Sequence, residues 1–140
     1  YRSSLAKDAD YVYDGAQWTT AVKYTGDDIF KTADNYTKLF MAKFNYEPPY
    51  QAAESSAGVI TYQKALEKAG SLDPQKVRDA LAGLDFVSFY GQIKFDNRGI
   101  NTFKPMAVEQ LQTDGKKRTV WPPDVAEAKP QFPTPPWDKR

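Results

Sequence analysis

The double proline Pro48-Pro49 restricts the fold more than any other feature, because it separates two long amphipathic segments that cannot join into one helix. Proline lacks a backbone N–H, and its ring disfavours helical backbone in the residue before it. In residues 28–44 apolar side chains recur every three or four positions, which predicts a helix with Asp27 as its N-cap. Residues 51–69 carry a second, broader apolar face and predict a helix that ends at Gly70.

The first turns of this second helix are built from small side chains, which run from Ala52 to Gly58. Small side chains indicate that another part of the protein approaches the helix closely. Packing against a sheet is the plainer interpretation, and a ligand or an interface between lobes is the alternative.

The start of the third helix is predicted by Asp73 at the N-cap and Pro74 at the first helical position. Proline is tolerated there because the N–H that it lacks would have no partner within the helix. Gly83 suits its C-terminal end. Its predicted buried stripe consists of Val77, Ala80, Leu81 and Leu84.

Short strands are predicted on both sides of these helices. Tyr11–Tyr13 indicates a strand that Asp14-Gly15 interrupts, and residues 106–112 alternate as a half-buried strand that turns at Thr113–Gly115. The other strands are expected at residues 86–89, 92–95 and 118–121. The proline-rich residues 121–140 predict an extended surface tail rather than a core element.

Composition excludes several classes of function. A length of 140 residues is enough for one domain, and a net charge of +1 with both signs mixed along the chain offers no basic stripe to nucleic acid. Histidine and cysteine are absent, which removes the usual zinc ligands, Ser-His-Asp and Cys-His catalysis, and disulfides. We therefore expect no catalytic residue, no metal and no cofactor. The chain shows no signal peptide and starts at Tyr1 rather than Met, so we expect processing or truncation upstream.

Two acidic motifs are interpreted as structural. Asp96–Gly99 has the first residues of a calcium loop, but the twelfth position is Ala107 where that loop needs glutamate, so a turn is predicted. Nothing in the spacing of Glu47 and Glu54 places them in one pocket, so a solvated face is predicted for this pair.

Three aromatic residues are candidates for contact with a ligand. Trp18 follows a predicted strand, and Tyr46 and Tyr50 flank the double proline. Ligands of α/β proteins bind outside the carboxyl ends of strands, where such loop residues gather. Core packing is the alternative for each of the three.

A series of short stretches occurs along the chain in a specific order and spacing, although no single stretch is diagnostic. The stretches are Asp8–Tyr13, Gln17-Trp18, Phe44–Pro48, Ala52–Glu54, Ala69–Pro74, Val77–Leu81, Leu84–Phe86, Phe89–Gly91, Ile93–Asp96, Lys104–Met106 and Pro135–Trp137. In this order they resemble the C-terminal segment of type 1 periplasmic binding proteins of the branched-chain amino acid class.

This resemblance implies an α/β fold class. The chain would be the C-terminal part of a two-lobed type 1 periplasmic-binding-protein fold, with three helices, short strands and a proline-rich tail, and incomplete without upstream sequence. Residues 1–17 would belong to the C-terminal lobe, residues 18–106 to the N-terminal lobe between two crossovers, and residues 107–140 to a strand and tail of the C-terminal lobe.

The resemblance also implies a function. The protein would be the periplasmic solute-binding component of an ABC importer. It would bind a branched-chain amino acid, an amide or an aromatic acid between two lobes and deliver it to a membrane permease without catalysis.

The ligand-binding residues implied by the resemblance are Trp18, Tyr50 and Gln51. The aromatic position that lines the cleft in amino-acid binders falls on Gln51 or, with a shift of one residue, on Tyr50. A glutamine there suits an amide, an aromatic acid or another solute that needs a hydrogen bond.

Two other functions stay open, namely a ligand-sensing regulatory domain of the same fold and a free-standing small α/β interaction domain. The helices have apolar faces without long strands to cover them. We therefore expect the isolated chain to expose apolar patches and to dimerise or exchange strands.

Overall fold

The computed structural model describes residues 2–139. The chain forms two compact units: a split unit, made of the chain up to Gln17 together with the chain from Met106 onwards, and a continuous unit, Trp18–Pro105. The helices and strands in chain order are α1 (Arg2–Leu5), β1 (Tyr13–Ala16), α2 (Ala33–Phe44), α3 (Tyr50–Ala69), α4 (Pro74–Ala82), β2 (Asp85–Ser88), β3 (Gly91–Lys94), β4 (Ala107–Leu111) and β5 (Lys117–Trp121). Short 3-10 turns lie at Ala6–Ala9 and Trp137–Lys139.

Helix α2 begins later than its apolar pattern predicts, and the prediction of Asp27 as its N-cap is wrong. The carboxylate of Asp28 accepts hydrogen bonds from the N–H groups of Phe30 at 2.8 Å and Lys31 at 3.0 Å, and Lys31 has a left-handed φ of 66°. These residues therefore form a turn instead of a helix. Thr32 is the N-cap, and its hydroxyl accepts a hydrogen bond from the N–H three residues on at 3.2 Å.

The other helix ends agree with the local sequence signals. Asn45 and Gly70 close α2 and α3 with left-handed φ values of 60° and 56°, a conformation that these two residue types tolerate best. Asp73 caps α4 by accepting a hydrogen bond from the N–H three residues on at 3.0 Å, Pro74 opens the helix, and Gly83 closes it. The helix ends predicted at Gly70, Asp73, Pro74 and Gly83 are confirmed.

Aromatic side chains dominate the core of the continuous unit. Tyr36 stacks on Phe89 with ring centroids 4.4 Å apart, and Phe30 meets the edge of the same two rings. The buried cluster consists of Trp18, Ala33, Tyr36, Ala53, Ala57, Ile60, Phe89, Tyr90 and Ile93. A smaller cluster between α3 and α4 consists of Ala65, Val77 and Leu84.

Two of the small side chains at the start of α3, Ala53 and Ala57, belong to the aromatic core of the continuous unit. The hydroxyl groups of Tyr36 and Ser56 are hydrogen-bonded at 3.0 Å, and Ala53 and Ala57 are buried. Gly58, by contrast, faces open space. Core packing therefore accounts for Ala53 and Ala57, whereas Ala52 and Ser56 line an open groove between α2 and α3.

Strands β2 and β3 form an antiparallel hairpin in which Ser88 pairs with Gly91. The Ser88 hydroxyl donates a hydrogen bond to the Gly91 carbonyl at 3.0 Å and accepts one from the Tyr90 N–H at 3.2 Å. Gly91 has a φ of 131°, which side chains with a Cβ rarely adopt. The two strands predicted here are confirmed, each shifted by one residue.

In the split unit β1, β4 and β5 form an antiparallel sheet in the order β1-β4-β5. The prediction of a strand at Tyr11–Tyr13 that Asp14-Gly15 interrupts is wrong. Asp14 and Gly15 pair with Glu109 and Val108 of β4, whereas Tyr11 has a left-handed φ of 69° and lies before the strand. Pairing across the sheet thus overrides the turn preference of an Asp-Gly sequence.

The proline-rich tail is irregular in structure, as expected, but it is tied to β4. The side-chain amide of Gln110, which is fully buried, donates to the Gln131 carbonyl at 3.2 Å and accepts from the Gln131 N–H at 2.8 Å. Gln112 donates to the Lys129 carbonyl at 2.9 Å, and Val125 is buried. The tail therefore covers part of the sheet, which its composition did not indicate.

Candidate functional site

Trp18, the first predicted ligand-binding residue, lies in the core of the continuous unit with 2% of its surface exposed. Its indole N–H donates to the Phe89 carbonyl at 3.4 Å, and its ring meets the edges of Tyr36 and Phe89. Inside the unit Trp18 supports the turn between β2 and β3. Its contact with a ligand stays a prediction.

Tyr50 and Gln51, the other two predicted ligand-binding residues, form the first turn of α3. Pro49 precedes them as the N-cap with an extended ψ of 155°, and no side chain caps the helix. Consecutive helical residues differ by about 100° around the axis. Tyr50 accordingly packs half-buried against the aromatic cluster, whereas Gln51 is exposed to solvent.

Tyr46, the remaining aromatic candidate, lies just beyond the C-terminal end of α2. Its ring meets the edge of Phe40 with centroids 5.2 Å apart and lies 6.3 Å from Phe44. With 55% of its surface exposed, Tyr46 covers the end of the helix on one side only.

A group of ionisable residues that the sequence analysis missed lies near the start of α3. The ammonium of Lys104 lies 4.4 Å from the centre of the Tyr90 ring, a cation–π contact. The stem of Lys104 passes over Gly91, where a Cβ would come within 2.9 Å of the lysine Cγ. The backbone conformation of Gly91 disfavours any larger residue there, and an added Cβ would also force the lysine stem to shift.

Burial and neighbouring charges shift the pKa values in this group. Burial lowers the pKa of Lys104 to about 8, and the carboxylate of Glu54 opposes that change. Burial also raises the pKa of the Tyr90 hydroxyl, and the negative charges of Glu54 and of ionised Tyr50 raise it further. Since Tyr50 and Glu54 lie one turn apart on α3, we call Tyr50, Glu54, Tyr90 and Lys104 the Lys104 cluster.

Sequence reasoning had no signal that could connect the members of the Lys104 cluster. In the sequence Glu54, Tyr90 and Lys104 belong to three separate stretches of the family pattern. The three residues come from α3, from the β2–β3 turn and from the segment before β4, so the fold alone places them together. The glycine at position 91 is the one local clue, because it follows an aromatic pair within a hairpin.

The carboxylate of Asp28 joins the loop before α2 to the β2–β3 hairpin. Asp28, buried with 8% of its surface exposed, accepts a hydrogen bond from the Phe89 N–H at 2.7 Å in addition to the two within its own loop. The carboxylate of Asp27 beside it is exposed and forms only long ion pairs with the ammonium groups of Lys31 and Lys64. The two adjacent carboxylates therefore have different surroundings.

Grooves on the surface of the continuous unit include two that lie beside α3. One of about 360 Å³ lies between α2 and α3 and is mostly apolar. It is lined by Phe30, Tyr36, Leu39, Phe40, Lys43, Phe44, Ala52 and Ser56. The other, of about 260 Å³, lies between the Asp27–Lys31 loop and the middle of α3, and charged residues dominate its walls.

The acidic motifs have the structural roles predicted for them. The carboxylate of Asp96 accepts hydrogen bonds from the N–H groups of Arg98 at 2.9 Å and Ile100 at 3.0 Å, which closes a turn with Gly99 at a φ of 79°. These hydrogen bonds lower the pKa of Asp96. Glu47 and Glu54 are exposed. Within residues 2–139, no cluster of three acidic ligands suited to a metal occurs, and no helix has the length and apolarity to cross a membrane.

Residues 15–134 match the model of a family described as a periplasmic binding protein domain. The leucine-binding protein LivK from Thermotoga maritima superposes with a TM-score of 0.71 at 17% identity, over 88% of this chain and 34% of its own. A protein described as a branched-chain amino acid ABC transporter from Silicibacter pomeroyi superposes with a TM-score of 0.70 at 17% identity, over 97% of this chain and 37% of its own.

A third similar structure is an ABC transporter solute-binding protein from R. palustris in complex with benzoate. It superposes with a TM-score of 0.66 at 15% identity, over 85% of this chain and 31% of its own. The chain thus spans about a third of the length of the structures that it matches. The expected α/β fold class is confirmed, since the chain matches part of the type 1 periplasmic binding protein fold.

Proposed function

Since the chain belongs to the periplasmic binding protein domain family, we propose that it is part of a periplasmic solute-binding protein of an ABC importer. The proposed ligand is a branched-chain amino acid, an amide or an aromatic acid. The protein binds it between two lobes and delivers it to a membrane permease. The observation that carries this proposal is the family match over residues 15–134, which is nearly the whole chain.

The similar structures support the range of proposed ligands. One is a leucine-binding protein and another holds benzoate, and both of these molecules are small organic acids with an apolar body. Such ligands need an apolar or aromatic wall and a few polar groups that fix their orientation. The start of α3 offers both kinds of group, the half-buried ring of Tyr50 and the exposed amide of Gln51.

We assign the main contacts with the solute to Tyr50 and Gln51. An aromatic ring supplies a large apolar contact area and, having few rotatable bonds, loses little conformational entropy on binding. A glutamine amide both donates and accepts hydrogen bonds. Trp18 is the third proposed contact, with a smaller share because only 2% of its surface is exposed.

The proposed mechanism involves closure of two lobes and no chemistry on the solute. Residues 1–17 and 107–140 belong to the proposed C-terminal lobe, and residues 18–106 to the proposed N-terminal lobe. The division of the chain into two compact units at Gln17 and Met106 supports this assignment. Closure is favoured because the bound solute contacts more of the protein in the closed state than in the open one.

Calorimetric titration of the full-length protein with leucine, isobutyramide and benzoate tests the proposed function. We expect micromolar or tighter binding of at least one probe, with affinity lowered about tenfold or more by Tyr50→Ala or Gln51→Ala. Tyr62→Ala, an exposed aromatic position on the same helix, is the matched control and should leave the affinity unchanged. Absence of binding to all three probes would count against the proposal.

We also propose that the isolated chain associates through apolar surface. Exposed apolar side chains on α2 and α3 include Leu39, Phe44, Val59 and Tyr62, with between 48% and 70% of their surface exposed. Dimerisation or strand exchange would cover them. Light scattering of the isolated chain at several concentrations measures this, and a monomer at every concentration would refute it.

A further inference from the structure

The groove between α2 and α3 combines an apolar wall with two kinds of polar group. Its volume of about 360 Å³ lies within the range of sites that bind small organic molecules. The rings of Phe30, Phe40 and Phe44 and the side chain of Leu39 form much of its wall. Leu39 and Phe44 keep 52% and 48% of their surface exposed, so the groove is open to a molecule from solution.

A lysine without an opposite charge lies at one end of this groove. Of the lining residues, all of which belong to the described part of the chain, Lys43 alone is charged. Within residues 2–139 its ammonium pairs with no carboxylate and lies 5.4 Å from the centre of the adjacent Phe44 ring. Lys38 on the same helix, by contrast, is paired with Asp34 at 2.6 Å. A positive charge beside an apolar surface favours an anion that has an apolar body.

A pair of hydroxyl groups at the other end of the groove has a hydrogen-bond donor that is not used. Tyr36 and Ser56 line the groove and carry two O–H groups, and a hydrogen bond of 3.0 Å joins them. Only one O–H is used in that bond, so the other has no acceptor among the described residues. Tyr36 is 3% exposed and its ring is stacked on Phe89, which fixes the position of its hydroxyl. A fixed donor of this kind favours a ligand oxygen that accepts a hydrogen bond.

The distance between the two polar ends sets the length of a ligand that meets both. Tyr36 and Lys43 lie on the same side of α2, two turns and about 10 Å apart along the helix axis. Phe40 lies between them and belongs to the wall of the groove. Such a ligand therefore needs an apolar body that spans Phe40, with a carboxylate at one end and an oxygen acceptor at the other.

We propose that this groove is a second binding site, and that it binds carboxylic acids with a carbonyl oxygen near the far end of an alkyl body. The carboxylate pairs with Lys43, and the alkyl body packs on Phe40. The carbonyl oxygen accepts a hydrogen bond from the Tyr36–Ser56 pair. Leucine and benzoate have no acceptor at the far end of their apolar bodies, so this site differs in specificity from the proposed solute site between the lobes.

Three matched probes test the inference on the full-length protein by calorimetric titration. Monomethyl adipate has both polar ends, hexanoate lacks the ester carbonyl, and methyl hexanoate lacks the carboxylate. We expect monomethyl adipate to bind with a dissociation constant below about 1 mM and each of the other two to bind about three- to tenfold more weakly. Equal affinities for the three probes, or no binding of monomethyl adipate, would overturn the inference.

Substitutions at each end of the groove assign the two polar contacts. Lys43→Gln should weaken both carboxylates about three- to fivefold and leave methyl hexanoate unchanged, whereas Lys38→Gln, outside the groove, should change none of the three. The double variant Tyr36→Phe with Ser56→Ala removes both hydroxyls, because either one alone could still donate. In this variant monomethyl adipate should bind no better than hexanoate. Ser55→Ala is the matched control on α3 and should keep the difference between the two probes.

A last pair of variants distinguishes this groove from the proposed solute site. Ala52→Leu fills the groove without a change of charge and should weaken monomethyl adipate more than about tenfold, whereas Gln51→Ala should leave its affinity unchanged. Weakening by Gln51→Ala without any effect of Lys43→Gln would place the probe in the solute site and overturn the inference. Circular dichroism checks the folding of each variant. If Ala52→Leu or the double variant does not fold, the comparison of Lys43→Gln with Lys38→Gln decides.

Discussion

The carboxylate of Asp28 is the most informative position for a test of the fold, because it joins two segments that are 61 residues apart. One oxygen accepts the N–H groups of Phe30 and Lys31 in its own loop, and the other accepts the N–H of Phe89 in the β2–β3 turn. Phe89 is fully buried, so water does not reach its N–H to replace the carboxylate. We predict that Asp28→Ala destabilises the protein far more than a change at the neighbouring Asp27.

The expected magnitude follows from counting what each group loses. A hydrogen bond to a charged acceptor contributes roughly 1.5–3 kcal/mol, and a buried donor left without a partner costs about 1–3 kcal/mol. The N–H groups of Phe30 and Lys31 lie near the surface and recover water, whereas that of Phe89 does not. Asp28→Ala should therefore lower the free energy of unfolding by about 3–5 kcal/mol.

Asp28→Asn separates the two sets of hydrogen bonds that Asp28 accepts. The asparagine carbonyl still accepts the two hydrogen bonds within the loop, but its NH₂ group opposes the Phe89 N–H. We expect a loss of about 2–3 kcal/mol, which lies between the wild type and the alanine variant. Asp27→Asn removes only ion pairs at 4.0 and 3.5 Å from a carboxylate that is 86% exposed, so we expect less than about 0.5 kcal/mol.

Urea unfolding followed by tryptophan fluorescence measures these differences, and an unchanged dependence on urea shows that the unfolded state is the same. Trp18 donates to the Phe89 carbonyl, so its emission reports on this part of the core. Hydrogen exchange gives a second readout, because the Phe89 amide should exchange faster in Asp28→Asn than in the wild type. A loss below about 1 kcal/mol in Asp28→Ala, or equal effects at Asp27 and Asp28, would refute the reasoning.

Three further predictions concern the glycines Gly91 and Gly58, the pH dependence of stability, and the contact between Gln110 and the tail. Gly91→Ala should lower the free energy of unfolding, measured with urea, by about 2–4 kcal/mol, because Gly91 has a φ of 131° and an added Cβ would meet the Lys104 side chain. Gly58 lies inside a helix with open space around it, so Gly58→Ala should raise the free energy of unfolding by about 0.5–1 kcal/mol. The reverse order of the two effects would contradict both predictions. The pKa of Lys104 is lowered to about 8 in the folded protein, whereas in the unfolded chain it has its ordinary value of 10.5. Between pH 8 and 10 the unfolded chain therefore binds more protons than the folded protein, and the free energy of unfolding should rise with pH. Lys104→Met should remove this rise. Above pH 10.0 the raised pKa of Tyr90 lowers the free energy of unfolding as the pH rises, so Tyr90 cannot cause a rise. A rise that persists in Lys104→Met would therefore show that a group other than Lys104 causes it. Gln110→Leu should free the tail and accelerate its cleavage by a protease, and an unchanged cleavage rate would show that other contacts hold it.

Only part of the candidate site can be predicted from the sequence. Tyr50 is a candidate because it flanks the double proline, a local feature, whereas Gln51 is a candidate only through the family resemblance. The nearness of Lys104 to Tyr90 is not predicted, because the two residues lie in different segments of the chain. Hydrophobic periodicity reports which face of a helix is apolar, but it carries no information about which distant charge lies next to that face.

The sequence by itself determined the features that depend on a few neighbouring residues. The ends of α2 and α3 at Asn45 and Gly70 and the start of α4 at Asp73 follow from backbone preference and from hydrogen bonds that span three or four positions. The tertiary structure decided the late start of α2, where Asp28 bonds to Phe89 as well as to its own loop, and the course of β1, where pairing with β4 outweighs an Asp-Gly turn. It also decided that the tail lies on β4 and that Lys104 lies on Tyr90, because contacts between distant segments have no local pattern from which they could be predicted.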